Sequence, residues 1–162
     1  MHDRAEADEE LVDAVMTASR ALMGVVVRSL AAVDEDVTLP QYRALVVLAQ
    51  RGAMRPVDLA TTLAVTPPTA TRMCDRLEAK DLVVRDRPAG DRRAVVVSLS
   101  PAGRTLVDDV SRRRRAELGR LLSGVPVARR TAVVDGLRSF AEAAGEVPEA
   151  EWGSDLMRDV TS

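Results

Sequence analysis

The sequence predicts a mainly α-helical chain carrying one small β-hairpin, and three observations predict it. Apolar residues recur at steps of three and four over most of the length. Prolines stand where helices start, at Pro40, Pro56, Pro67-Pro68 and Pro101. Two short β-branched runs, residues 82–87 and 94–99, break the helical period, and turn residues separate them.

The first helix follows the stripe Leu11, Val15, Ala18, Leu22, Val25, Val26, Leu30 and Val33, which Asp34-Glu35-Asp36 interrupts. Thr38-Leu39-Pro40 is a new start, with Pro40 at the first helical position. Leu45 and Leu48 share a face, and Gly52 is the stop. Pro56 opens a short helix, Val57 to Leu63. After the tight connection Ala64-Val65, Thr66 stands where it can cap a helix over about 66–80. Pro67 and Pro68 fall in its first turn, where amides have no internal acceptor to lose. The runs Leu82 to Arg87 and Ala94 to Leu99 then form a hairpin around Pro88-Ala89-Gly90-Asp91. Ser100-Pro101 starts a long helix to about Leu122, roughly 30 Å at 1.5 Å per residue. Gly124-Val125-Pro126 breaks it. The last helix, Val127 to Ala144, carries Val133, Val134, Leu137, Phe140 and Ala144 on one side. The acidic tail from Gly145, with Trp152, is expected to be loosely ordered.

Composition sets the bounds. A chain of 162 residues can bury a core without disulfides or metals, and at 46% apolar it is not a disordered chain. The only aromatics are Tyr42, Phe140 and Trp152, so Leu, Val, Ala and Met must build the core. An aromatic stacking platform for single-stranded nucleic acid is excluded on the same ground. The lone Cys74 allows no intramolecular disulfide and fits a reducing compartment. No apolar run reaches the length of a membrane span, and the acidic segment Met1 to Glu10 lacks the layout of a signal peptide. A soluble, cytoplasmic protein with no membrane partner is expected.

Helix, helix, short helix, turn, helix, hairpin is the order of a winged helix-turn-helix, here over residues 38–101. The stripes in residues 11–33 and 127–144 are too extensive for a small winged domain to cover. A two-fold partner would bury them, which makes residues 11–33 and 102–144 a dimerisation region and leaves 145–162 as an acidic tail.

The net charge of −2 hides an asymmetry: residues 41–141 carry nineteen Arg/Lys against ten Asp/Glu, between two acidic ends. Position matters more than the sum when the partner is a polyanion. In the helix at 66–80, Ala70, Met73, Cys74 and Leu77 share one side. Pro68, Arg72, Asp75 and Ala79 lie opposite, with Thr69, Thr71 and Arg76 on the flanks. Such a face suits the major groove of double-stranded DNA. Arg72 is the expected base reader, because a guanidinium can donate two bonds to guanine. Thr69, Thr71 and Arg76 are expected to position the backbone. Asp75 can accept from cytosine, or simply hold Arg72 or Arg76. The hairpin adds Arg85, Arg87, Arg92 and Arg93 around its glycine turn, a basic tip suited to an adjacent minor groove. Asp91 stands two residues before Arg93 in extended chain, on the same side, and can brace it.

These residues resemble the MarR family of bacterial transcription regulators over about residues 11 to 144. The likeness rests on Leu39-Pro40-Gln41-Tyr42-Arg43-Ala44-Leu45, Val57-Asp58-Leu59-Ala60 and the stretch Thr69 to Glu78. It continues through Leu82-Val83-Val84-Arg85, the Asp-x-Arg wing signature at Asp91-Arg92-Arg93 and the junction Ser98-Leu99-Ser100-Pro101-Ala102-Gly103. The resemblance implies an obligate homodimer on a pseudo-palindromic operator, usually a repressor, nucleoid-associated when bound to DNA. It also implies a small ligand lodged between the interlocked terminal helices and the DNA-binding lobe. Pocket walls rich in Leu, Val and Met would suit an apolar molecule or an aromatic acid. Where the family often has Gly after the recognition helix, this chain has Asp81, which tolerates a left-handed conformation better than most residues.

Other residues are set aside. Cys74 sits on the inward face of its helix and reads as a small apolar side chain rather than a redox switch. His2, the only histidine, is a bystander, and one His with one Cys makes no usual zinc site. No nucleophile–base pair and no phosphate-binding glycine loop occurs, so neither an enzyme nor a cofactor is expected. The run Arg112 to Arg115 wraps the long helix, so at least one of the four faces inward. It reads as a solvated stretch paired with Asp108, Asp109 or a partner's acidic ends, rather than as extra phosphate attraction. A second reading of the whole chain is a dimeric module that acts by binding protein, with the acidic ends and Trp152 as its working surface.

Overall fold

The structure, a computed structural model, describes residues 2–87, 95–146 and 148–152. Its elements are α1 (His2–Ala31), α2 (Leu39–Arg51), α3 (Pro56–Leu63), α4 (Pro67–Glu78), β1 (Val83–Asp86), β2 (Val96–Leu99), α5 (Pro101–Leu122), α6 (Val127–Ala143) and a single 3-10 turn, Glu149–Glu151. The mainly helical chain with one antiparallel hairpin is therefore as expected. Among the described residues no helix is long and apolar enough to cross a membrane.

Local chemistry explains where helices begin. Thr38 caps α2 through a reciprocal pair: its hydroxyl accepts from the Gln41 amide at 3.4 Å, and the Gln41 side chain accepts from the Thr38 amide at 3.0 Å. Pro40 falls at the second helical position rather than the first, because α2 begins at Leu39. Ser100 caps α5 by accepting from the Gly103 amide at 2.9 Å, and its own hydroxyl donates to the Asp81 carbonyl. Thr66 departs from expectation. It is the cap residue of α4, but its side chain bonds no backbone amide; its hydroxyl meets that of Thr69 at 2.9 Å. The two prolines remove the first two helical amides, and the Thr66 carbonyl takes the third, that of Thr69, at 3.0 Å. Nothing is left for the hydroxyl to cap.

The core lies where α2, α3, α4, the hairpin and the first half of α5 converge. Leu45, Leu48, Leu59, Leu77, Val83, Val97, Val107 and Val110 are all fully buried there. The composition of this core is the Leu/Val/Ala set expected, with Tyr42 its one aromatic and Met54 and Met73 at its edge. The hairpin pairs Val83 with Leu99 and Asp86 with Val96. Met54, between α2 and α3, adds a bridge to Val97 through bonds of 3.0 and 2.8 Å. The hairpin base is thus tied to the body on its outer edge as well. α1 divides: Val25 and Leu30 are buried, while Leu11, Leu22 and Met23 are exposed.

Among the described residues, two that are not glycine hold left-handed backbone, Ala64 (φ 55°) and Asp81 (φ 56°). Asp81 is the position anticipated after α4. Ala64 is the turn between α3 and α4, where its amide reaches the carbonyls of Ala60 and Thr61. That conformation costs an L-residue roughly 1–2 kcal/mol, and glycine escapes the cost while losing about 0.5–1 kcal/mol of chain entropy. Ala64→Gly is therefore expected to stabilise the protein by about 0.5–1 kcal/mol, read as a thermal midpoint raised by a few degrees. A lowered midpoint would contradict the strained turn.

Candidate nucleic-acid interface

The burial of α4 decides which face it shows. Ala70, Cys74 and Leu77 are fully buried and Met73 is half-buried at the core edge. Pro68, Arg72, Asp75 and Ala79 on the opposite side are all exposed, as are Thr71 and Arg76; Thr69 is half-buried. The periodicity is thus realised residue by residue.

The polar groups on this face divide into committed and uncommitted ones. The Thr71 hydroxyl donates to the Pro67 carbonyl at 3.0 Å, which leaves it only acceptor capacity and a methyl group for any outside contact. Thr69 is held by Thr66. Arg72 and Arg76 have no hydrogen-bond or ion-pair partner among the described residues, so both guanidinium groups keep their full set of donors.

Asp75 is not available to brace either of them. Its carboxylate pairs with Arg85 of β1, which also reaches Glu78 at 2.9 Å. Arg85 therefore does not belong with the free cations of the hairpin. It is a clamp between strand and helix, with 28% of its side chain exposed and its pKa raised by the hydrogen bond it donates to Asp75 and by the charge of Glu78. Bidentate or forked arginine contacts fix geometry as well as charge. Here the fork sets the angle at which the hairpin leaves α4. Sequence reasoning missed this role, although Asp75 and Glu78 stand three residues apart on one edge of the helix, beside the strand that follows.

Arg87, just past β1, is exposed, and its amide donates to the Asp86 carboxylate at 2.7 Å. The expected wing residues Asp91, Arg92 and Arg93 lie outside the described residues. Cys74 is fully buried; burial pushes its thiol pKa up, so the nucleophilic thiolate is disfavoured. Among the described residues no group of His, Cys, Asp and Glu could hold a metal ion.

Two of the four arginines in the α5 run are paired within the chain. Arg112 bonds Asp109, one of the partners expected. Arg115 bonds Glu149 of the same chain rather than another chain's acidic end. Arg114 is the half-buried member of the run, lying near the buried Tyr42 hydroxyl.

Comparison with known proteins places this geometry. The MarR family model matches residues 37–95, which take in α2, α3, α4 and β1 and stop just before β2. The transcriptional regulator Mb0904 of Mycobacterium bovis is 38% identical over 109 residues, 67% of this chain and 73% of that protein. The transcriptional repressor MdtR of Bacillus subtilis is 34% identical over 89 residues, 55% of this chain and 57% of that protein. The chain thus spans little more than half the length of some curated relatives it matches. The crystal structure of RV1404 from Mycobacterium tuberculosis superimposes with a TM-score of 0.82 at 38% identity, covering 86% of this chain and 95% of that one. With its helical order, its hairpin and these likenesses together, the chain belongs to the MarR family.

Proposed function

We propose that the protein is a homodimeric DNA-binding transcription regulator, a repressor that grips a pseudo-palindromic operator. The single observation that carries this reading is the outward face of α4. It holds two arginines with no partner among the described residues, on a helix joined to its companion hairpin by the Arg85 ion pairs. Arg72 reads a base edge in the major groove, while Thr69, Thr71 and Arg76 seat the helix on the backbone. Arg87 and the segment Asp91-Arg92-Arg93 supply the minor-groove contact.

Dimerisation is supported by apolar surface that one chain leaves uncovered. Leu11, Val12, Met16, Leu22, Met23 and Val27 on α1 are exposed, with Leu121 and Leu122 at the end of α5 and Val134, Leu137 and Phe140 on α6. α6 buries none of its residues in its own chain. Surface of this kind marks an association site, and a two-fold copy supplies the same surface in return. The protein-binding reading is less well supported, because Trp152 packs against the protein's own core rather than offering itself outward. A groove of about 460 Å³ between the end of α1 and α5 would suit a releasing ligand. Its lining is Ala32, Val33, Ala116, Asp109, Arg112 and Arg113; Asp109 holds Arg112, so Arg113 is the cation left to meet an apolar or aromatic acid.

Selection of bound sequences from a random pool of duplex DNA tests the reading directly. The expected product is a two-fold motif with half-sites about one helical turn apart, bound less tightly as salt rises. Recovery of no preferred sequence at moderate salt would overturn it.

A further inference from the structure

The C-terminal segment does not hang free. Gly145, with φ +70°, ends α6 in the left-handed turn that reverses a helix into following chain; its amide and that of Glu146 return to the carbonyls of Glu142 and Ala141. Beyond it, Glu146 and residues 148–152 lie against α2 and α5. Glu146 accepts from the Gln50 side chain at the end of α2, at 3.4 Å. The 3-10 turn then sets Glu149 on α5, where its carboxylate accepts from the Ser111 hydroxyl at 3.2 Å and from the Arg115 guanidinium. Trp152 follows at once and packs against the main core. Beneath the turn, Tyr42 of α2 is 3% exposed, with its hydroxyl near Ser111 and Arg114.

We propose that Glu146 and residues 148–152 form a strap that couples the dimerisation helices to the reading head of the same chain. Among the described residues, α6 is the one α-helix that buries nothing in its own chain, so its position follows whatever covers it. The strap transmits that position to α2, the helix on which α3 and α4 are built. It acts through two carboxylates on donors from α2 and α5 and one half-buried indole packed against the core, which bear on both lobes at once. The inference rests on the proposed dimer for its purpose, but its physical claim concerns one chain without DNA.

Trp152 is the only tryptophan, so its emission reports the strap directly. In the full-length, DNA-free protein, Glu149→Gln is expected to move the emission to longer wavelength and increase quenching by acrylamide. Amide exchange should rise together in Leu48 to Arg51 and in Ser111 to Arg115, with the far-ultraviolet spectrum unchanged. Arg115→Glu should give the same shift, and the double exchange of Glu149→Arg with Arg115→Glu should return it towards the starting value. Emission and exchange indifferent to Glu149→Gln, or a double exchange that restores nothing, would overturn the strap. Neither readout uses an operator, so a failure to find one leaves this test intact. Where an operator is in hand, coupling requires reciprocity: operator binding shifts Trp152 emission, and Glu149→Gln changes operator affinity. An operator that binds both proteins equally and leaves the emission unmoved would show a tether without coupling, and overturn the proposal.

Discussion

Arg72→Ala is expected to cost sequence discrimination of about 1–3 kcal/mol, or roughly 5–150-fold in the ratio of operator to random-duplex affinity. The size follows from the state of the side chain before it binds. Arg72 is exposed on α4 and gives up no ion pair among the described residues when it enters a groove, because Asp75 is already taken by Arg85. A bidentate contact to guanine then contributes without an internal bond to break. Arg72→Lys should lose most of the discrimination too, since a single ammonium cannot present two parallel donors to a base edge. Arg76→Ala provides the contrast. As a phosphate contact it should weaken operator and random DNA alike and lower the salt slope of binding by about one. Anisotropy titrations at several salt concentrations separate the two. Equal losses on operator and random duplex for Arg72→Ala would remove it as the base reader.

Gly103→Ala is expected to be the most damaging single-methyl change in the fold. A Cβ at this position would stand 2.0 Å from the Leu82 carbonyl oxygen and 3.0 Å from its carbon. That carbonyl cannot swing away freely, because it accepts the Ser100 amide at 3.1 Å. Nor can α5 back off without pulling the Gly103 amide from the Ser100 hydroxyl that caps it. Overpacking into rigid backbone costs about 3 kcal/mol or more, a large share of the roughly 5–15 kcal/mol that holds a domain folded. Gly119→Ala is the matched control on the same helix, where an added Cβ meets nothing within 4 Å. It should stabilise by about 0.5–1 kcal/mol through helix propensity alone. Urea unfolding of the two variants should therefore move the midpoint in opposite directions. A Gly103→Ala midpoint at or above that of the parent would contradict the close approach of α5 to the hairpin base.

How far these features can be read from sequence depends on the distance between the residues that make them. The Thr38 and Ser100 caps, the proline starts and the glycine stop at Gly52 are written within four residues of one another, and they are legible. The inward face of α4 is legible for the same reason, since its period repeats within the helix. Asp81 could be placed in left-handed backbone because it follows the last turn directly. Thr66 misleads because capping chemistry assumes free amides, which Pro67 and Pro68 lack. The clamp of Arg85 on Asp75 and Glu78 depends on how β1 turns back along α4, which no local pattern states. The tail misleads by composition: its acids look solvated, yet Glu149 finds Arg115 across 34 positions of sequence.

The Arg85 clamp also bears on how such a protein could be re-engineered. Grafting the exposed residues of α4 onto another scaffold would carry over the letters of the reading face but not its aim. The helix would meet a foreign strand without the fork that holds Asp75 and Glu78, and a bare carboxylate would be left beside the DNA. The smallest portable cassette is therefore the stretch from Pro67 through Arg85, helix and strand together, moved as one piece.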